Sequence, residues 1–546
     1  MDSHRSEVDE SVVVTTSDEY VSSSTTSVTI TNVRSQTTAI STAEGSKGDI
    51  PPTSSDSKKI MSLEQELHSL SKPNKTFENW ARTFRCAPEQ YYIPTKEEDV
   101  AKIIRLARLS GKCVKAVGTG HSPSDLACTT GFMINTDKLN KSIKVDMERM
   151  TIEIEAGMKL HELNSILEKE GLAMSNLGSI SDQSVAGAIS TATHGSGAKY
   201  STLSAAVVDL TMITANGESL YCSKLVNPDV FYAAICSMGS LGIITKLTLQ
   251  CEPAFKLESK QEPAKLDDVL NNLDTIIHSA EHVRLWWYPH TDNVVIWRVN
   301  RTTKEISGSV SSWRTSRWFT FHFYQGLLYF CRFIPRLIPT LSRFMFWATQ
   351  SKPLERVDKS VKIFNFDCLF AQYVNEWAIP WSRTAEAIRA LDKFIETGSV
   401  QVETGVGVAA PIDEANNKTN GQSKVVKKEP GLKVHFPVEI RFVKKDDAWL
   451  SPAYGVNSCY IGIIMYRPYG KPVPYKRFWA GFEQIMASFE GRPHWAKAHS
   501  VEFEGLRQSY PMLEKFSRIR EGLDPEGMFL NRNLRLHLVP PSTPTA

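Results

Sequence analysis

Three stretches of the sequence combine residue types that can hold a cofactor and move a proton. The first is Val117-Gly118-Thr119-Gly120-His121-Ser122-Pro123-Ser124, a glycine-rich turn placed directly after an apolar run. Its glycines can present backbone N–H groups to a phosphate, and the neighbouring hydroxyls can add donors. The further glycine and helix of a dinucleotide-binding βαβ unit do not follow, so this Gly-x-Gly specifies little by itself. The second stretch is Asn176-Leu177-Gly178-Ser179-Ile180-Ser181, continued by Val185-Ala186-Gly187-Ala188 and Thr191-Ala192-Thr193-His194-Gly195-Ser196-Gly197. Small residues permit close chain approach, while the serines, threonines and backbone amides can surround a diphosphate. The third is Phe436-Pro437-Val438-Glu439-Ile440-Arg441-Phe442. The period of two in a strand puts Glu439 and Arg441 on one face and Val438, Ile440 and Phe442 on the other. A carboxylate there can accept a hydroxyl proton, and a guanidinium can hold oxygen-rich ligands and stabilise negative charge. Each stretch alone also fits an ordinary turn or a cross-strand charge pair. Their combination carries the information.

Taken together, these motifs resemble the FAD-binding fold of the vanillyl-alcohol-oxidase superfamily, also called PCMH-type, and within it the aldonolactone oxidoreductase group. The resemblance spans residues 80–254 and resumes over 432–536. It implies an α+β fold with a two-part FAD-binding domain and a substrate-binding cap. In several oxidases of the family the histidine of the Gly-x-Gly-His-Ser turn is bonded to the flavin 8α position, so the resemblance assigns that role to His121. It assigns cofactor contacts to Gly118, Thr119, Gly120, Ser122, Pro123, Gly178, Ser179, Ser181, Gly187, Thr193, His194, Gly195, Gly242 and Ile243. Asn531, in Asp524-Pro525-Glu526-Gly527-Met528-Phe529-Leu530-Asn531, is expected either to make a polar contact there or to cap a turn. Oxygen-reactive members share the glycine at Gly178, where a missing methyl opens a path for oxygen.

On the substrate side the resemblance makes Glu439 the acceptor of the C2 hydroxyl proton, with hydride passing from C2 to flavin N5. Arg441 positions the substrate, and Lys497 of His494-Trp495-Ala496-Lys497 stabilises negative flavin or polarises substrate oxygens. Glu376-Trp377-Ala378-Ile379-Pro380 and Leu450-Ser451-Pro452 are expected to shape the wall of the site. No metal is expected. The implied reaction takes an aldono-1,4-lactone, best matched by D-arabinono-1,4-lactone, with molecular oxygen to D-erythroascorbate and hydrogen peroxide. Alternatives are L-galactono- or L-gulono-lactone oxidation, or a dehydrogenase passing electrons to cytochrome c. A non-enzymatic flavin-binding membrane or interaction protein is the remote one. The resemblance also favours peripheral or monotopic attachment to a mitochondrial membrane, the outer one.

The elements that must position these residues are marked by periodicity. Val100, Ile103, Ile104, Leu106 and Ala107 recur at helical spacing over Glu97 to Leu109, ahead of a strand at Val114 to Val117. Strands are expected at Met133 to Asn135, Thr151 to Glu155 and Val207 to Thr214, and from Ile243 to Leu249, with a hairpin at Asn216-Gly217-Glu218. His161 to Glu170 suits a helix. Beyond Pro253 the strand signals at Val283 to Pro289 and Val294 to Val299 fit a substrate-side sheet, and further strands are expected at Val434 to Phe442 and Cys459 to Tyr466. The expected organisation is a tail over 1–58, a lead-in over 59–86, the FAD-binding domain over 87–253 and the cap over 254–528. A final segment over 529–546 returns to the FAD domain.

Length and composition are consistent with this. A chain of 546 residues has room for more than one core. Its 63 basic and 60 acidic residues nearly balance, which predicts no nucleic-acid partner. The nine scattered cysteines show no zinc or iron–sulfur spacing, and their odd number speaks against a disulfide scaffold. The Ser/Thr-rich tail reads as disordered and lacks a secretory core. The polar run Asp413 to Glu429 reads as an exposed loop. Between Trp313 and Trp347 lies a segment rich in aromatic residues and arginine. It is too short in charge-free length to cross a membrane but suited to a headgroup layer.

Overall fold

The computed structural model describes residues 54–307, 318–366, 370–400 and 431–541, all within one compact unit. Most of the Ser/Thr tail, the run Asp413 to Glu429 and the start of the aromatic segment at Trp313 therefore lie outside the described residues. A helix Ser54–Leu67 (α1) reaches back into the stretch expected to belong to the tail. It packs on Glu97–Leu109 (α2), which buries Val100, Ile103, Ile104, Leu106 and Ala107 as the helical spacing requires. Glu97, Glu98 and Asp99 occupy the first turn of α2, where negative charge complements the helix dipole.

Gln90–Tyr92 (β1), Val114–Val117 (β2) and Phe132–Asn135 (β3) form a parallel sheet in the order β1-β3-β2, with α2 as the crossover from β1 to β2. A second, antiparallel sheet holds Ser142–Asp146 (β4), Thr151–Glu155 (β5), Val207–Ile213 (β6), Ser219–Ser223 (β7) and Ile243–Gln250 (β8) in the order β7-β6-β8-β5-β4. The Asn216-Gly217 turn joins β6 to β7, with Gly217 at φ 76°. Leu160–Lys169 (α3) and Val185–Ser190 (α4) bury Leu163, Leu167, Val185 and Ala188 in the core of this half.

The rest of the chain builds one antiparallel sheet of eight strands. They are Lys256–Lys265 (β9), His282–Tyr288 (β10), Asn293–Thr302 (β11), Leu354–Lys359 (β12), Gln372–Pro380 (β13), Val438–Val443 (β14), Ser458–Tyr466 (β15) and Arg492–Pro493 (β16). Their order is β12-β9-β11-β10-β14-β15-β13-β16. One face is covered by two helices, Thr384–Thr397 and Lys476–Ser488. Val283, Leu285, Val438, Ile440, Phe442, Ile461 and Ile463 meet Ile388, Leu391, Phe394 and Phe482 there. Burial of each such side chain is worth roughly 1.5–3 kcal/mol, so the register that sends these residues inward is strongly fixed. The opposite face, which carries the alternate residues, meets the turn of residues 194–197. Gly197 N–H donates to Phe442 O at 2.6 Å, Phe442 N–H donates to Ser196 Oγ at 3.2 Å, and the Ser196 hydroxyl donates to Val283 O.

Two further features place the site. The strand expected from Val434 begins at Val438, because Pro437 has no N–H for the ladder and His435 bonds Tyr466 O instead. Near the C-terminus, Met528 O accepts the Val114 N–H at 2.8 Å, ahead of a helix Arg532–Leu538 that the pattern did not signal. The aromatic segment supplies two helices, Tyr324–Cys331 and Ile338–Gln350. Among the described residues no helix is long and apolar enough to cross a membrane.

Candidate active site

The end of β2 and the start of α4 face each other across a cavity. Gly118, Thr119, Gly120, His121, Ser122, Gly187, Gly242 and Ile243 all line it, joined by Lys115, Gln183, Ser184 and Thr191. The two glycine-rich stretches are thus brought together. A Cβ on Gly118 would sit 2.1 Å from Ser184 Oγ, so the close approach demands glycine, and Gly120 turns the chain at φ 69°. His121 stacks on Trp80 with ring centroids 5.5 Å apart, and its Nδ1 is buried without a hydrogen-bond partner. Burial holds its pKa below the ordinary histidine value, which favours the neutral imidazole. Lys115 is fully buried; its Nζ donates to Met238 O at 2.6 Å, and burial pushes its pKa down to about 7. An orphaned imidazole nitrogen and a buried lysine donor in a cavity lined by small residues suit a flavin dinucleotide.

The eight-stranded sheet gathers a second polar cluster through its register. Across β10, β14, β15 and β13 one cross-strand row reads Trp286, Glu439, Gly462, Glu376, and the next reads Arg284, Arg441, Tyr460, Ala378. Directly opposed residues share a face, so two carboxylates and two guanidiniums converge. The Glu439 carboxylate is held by Arg441 and lies 3.4 Å from Arg284 Nη1. Burial works against its ionisation, but Arg441 and Arg284 outweigh burial and lower its pKa. Arg441 Nη1 donates to His194 O at 3.3 Å, which ties this strand to the flavin side.

Glu376 binds the remaining polar groups. One oxygen lies 3.3 Å from His194 Nε2 and the other 3.5 Å from Lys497 Nζ. Burial opposes its charge, yet Lys497 and then His194 hold its pKa well below the carboxylate range. His194 stacks on Tyr460 at 3.6 Å, and His494 Nδ1 accepts the Ala496 N–H at 3.1 Å. The ligating atoms of His194, Glu376 and His494 lie within 4.8 Å of one another, a spacing a metal ion could use. The chemistry of the set disfavours one. His494 accepts through Nδ1, so its proton sits on Nε2, and the Lys497 ammonium already holds the shared carboxylate.

The sequence-predicted residues therefore divide between two places. Glu439, Arg441 and Lys497 converge on the cap face, and His194 joins them there through Glu376 instead of lining the cavity. Gly178 and Ser179 form a turn clamped by the cap, with Asn365 Nδ2 donating to Gly178 O at 2.8 Å and Phe366 N–H to Ser179 O at 3.0 Å. Thr193 packs against Gly178, Gly195 packs on Asn176, and Ser181 O accepts the His161 N–H at 2.9 Å. Pro123 is buried beside Ser124, whose hydroxyl donates to Ala496 O at 3.1 Å. Asn531 uses its side chain within the protein: Nδ2 donates to Leu126 O and Cys128 O, and Oδ1 caps the last helix through Leu534 N–H. It anchors the loop beside the cavity and does not line it. Sequence reasoning missed Lys115, Arg284 and Tyr460 and gave Glu376 only a wall role. The signal available was a lone polar or charged residue within an apolar strand, as in Val114-Lys115-Ala116-Val117 and Val283-Arg284-Leu285.

Comparison with known proteins agrees with both halves. A family model described as D-arabinono-1,4-lactone oxidase matches residues 247–537, and one described as FAD binding domain matches residues 88–223. The chain is similar to L-gulonolactone oxidase of Scyliorhinus torazame, with 43% identity covering 84% of this chain and 97% of that one. It is 34% identical to a putative D-arabinono-1,4-lactone oxidase of Neurospora crassa, covering 85% of each, and 32% identical to D-arabinono-1,4-lactone oxidase of Debaryomyces hansenii, covering 86% and 97%. Among solved structures, cholesterol oxidase from B. sterolicum superposes with a TM-score of 0.66 at 15% identity, covering 86% of this chain and 97% of that one. This last likeness is one of fold.

Proposed function

Because this chain belongs to the D-arabinono-1,4-lactone oxidase family, we propose that it oxidises D-arabinono-1,4-lactone at C2 with molecular oxygen, giving D-erythroascorbate and hydrogen peroxide. It is an FAD-dependent oxidase. The observation that carries the reading is the single sheet face on which Glu439, Arg441 and Arg284 stand beside the His194 turn of the flavin side. FAD, when bound, supplies the hydride acceptor and the electrons for oxygen. Glu439 is ionised, and its Oε1, which makes no hydrogen bond and lies 3.4 Å from Arg284 Nη1, is the oxygen placed to accept the C2 hydroxyl proton. Arg441 and Arg284 orient the lactone oxygens. With Lys497 they leave the site net positive, which favours negative charge developing beside it.

His121 tethers the flavin through its unpartnered Nδ1. Gly178 is the position where the family resemblance places the approach of oxygen, and a methyl there would also crowd Thr193 Cγ2 at 3.0 Å. The helix pair at residues 324–350 seats the enzyme on a membrane surface. Phe330, Phe333, Ile334, Leu337, Phe344 and Trp347 are exposed there beside Arg336 and Arg343. A second reading of the substrate, L-gulono-1,4-lactone, is favoured by the 43% identity to L-gulonolactone oxidases. Steady-state peroxide production on the two lactones decides between them. The proposal expects the higher kcat/KM with D-arabinono-1,4-lactone; a preference for the six-carbon lactone would transfer the assignment to the second reading.

A further inference from the structure

Gly462 occupies the middle of a buried strand, where glycine is a costly choice: it has the most backbone freedom to lose and no side chain to pack. Three ordinary reasons for such a glycine are absent. Its backbone is not among those with positive φ. The pairings of β15 with β14 and β13 run through it without a register shift, so there is no bulge. Nor does packing forbid a side chain, because an added Cβ would meet nothing closer than Glu376 Oε1 at 3.6 Å. Gly118 and Gly195, by contrast, would each bring a Cβ within 2.2 Å of a neighbour.

What remains is the space above it. Gly462 is the direct cross-strand neighbour of Glu439 on one side and of Glu376 on the other. Around that space several buried polar atoms have no hydrogen-bond partner: Glu439 Oε1, Arg441 Nε, Arg284 Nε and Tyr460 Oη. Four such atoms on one sheet face call for an explanation, and a bound ligand would complete them together. One of them accepts hydrogen bonds, two only donate and the tyrosine hydroxyl does either, which matches a compact ligand carrying both hydroxyls and carbonyl or ring oxygens.

We propose that Gly462 is a specificity-determining residue whose missing side chain leaves the slot between Glu439 and Glu376 in which the hydroxylated lactone ring settles. The inference rests on the aldonolactone reading and adds what admits the ring to Glu439. A methyl at this position lifts the ring away from the carboxylate that takes its proton, while fold and flavin are unaffected. It is a positional effect on the substrate alone.

The test is Gly462→Ala in the full-length holoenzyme, compared with wild type for flavin content, thermal midpoint, and KM and kcat on D-arabinono-1,4- and L-gulono-1,4-lactone. The expected result is full flavin loading, an unchanged or raised midpoint, and kcat/KM lowered by about 10- to 200-fold, the range one methylene commands in a fitted site, with kcat falling as well as KM rising because the ring sits farther from Glu439. Gly462→Val is expected to lose more. Wild-type kcat/KM in Gly462→Ala would overturn the inference, and so would loss of flavin or of folding, since the inference holds that a Cβ has room. A wild-type enzyme whose flavin neither lactone reduces overturns the activity itself, a failure visible before any variant is compared.

Discussion

Glu439 keeps its charge in a buried place because two guanidiniums stand against it. A carboxyl whose folded pKa is depressed is ionised through the neutral range and is protonated only as the pH falls below the ordinary carboxylate range. The acid limb of kcat/KM, which reports the free enzyme, is therefore expected below the usual midpoint of a glutamate. Glu439→Gln is expected to lose that limb and to slow flavin reduction by about 10²- to 10⁴-fold, the span typical of a general base. Stopped-flow reduction across pH reads both effects, and an unchanged rate in the glutamine variant would remove Glu439 from proton transfer. His121 makes a different kind of claim. After acid denaturation, wild-type protein is expected to keep its yellow colour through gel filtration, whereas His121→Ala releases all flavin. Free flavin from fully loaded wild type would show that the unpartnered Nδ1 is not a tether.

At the scale of elements, local pattern was a good guide wherever local burial decides the outcome. The stripe Val100, Ile103, Ile104 and Ala107 specifies α2, and the alternation around Glu439 specifies which residues of β14 face the helices. Pattern failed where a neighbour distant in sequence decides. Arg284 and Glu376 look anomalous in apolar strands until β10 and β13 are laid beside β14 and β15, and only the register shows that they flank Glu439 and Gly462. His194 reads as part of a phosphate-binding run, yet tertiary packing turns it onto Tyr460 and Glu376. The helix pair at 324–350 invites a direct test. Its inner side packs through Leu328, Leu341 and Met345 while Phe333 and Trp347 stand 68% and 65% exposed, so charging the outer residues leaves its packing intact. Phe333→Glu with Trp347→Glu is expected to abolish co-sedimentation with anionic vesicles at unchanged kcat. Undiminished binding would reassign this face.

For the whole molecule, activity depends on two halves that neither sequence stretch contains alone. The parallel and antiparallel sheets hold the cavity lined by Gly118 and Gly187, the eight-stranded sheet carries Glu439 and Arg441 with Lys497 in the turn after its last strand, and the turn 194–197 links the two halves through Phe442, Val283 and Arg441. That division explains why the cofactor was legible from short motifs: backbone turns at Gly118 and Gly187 are local. The substrate site was legible only in part, because four strands assemble it. Anaerobic titration of the oxidised holoenzyme with D-arabinono-1,4-lactone tests the central claim most directly. One equivalent is expected to bleach the flavin absorbance, and admitted oxygen to restore it with one equivalent of peroxide. A flavin spectrum unmoved by excess lactone would contradict the account.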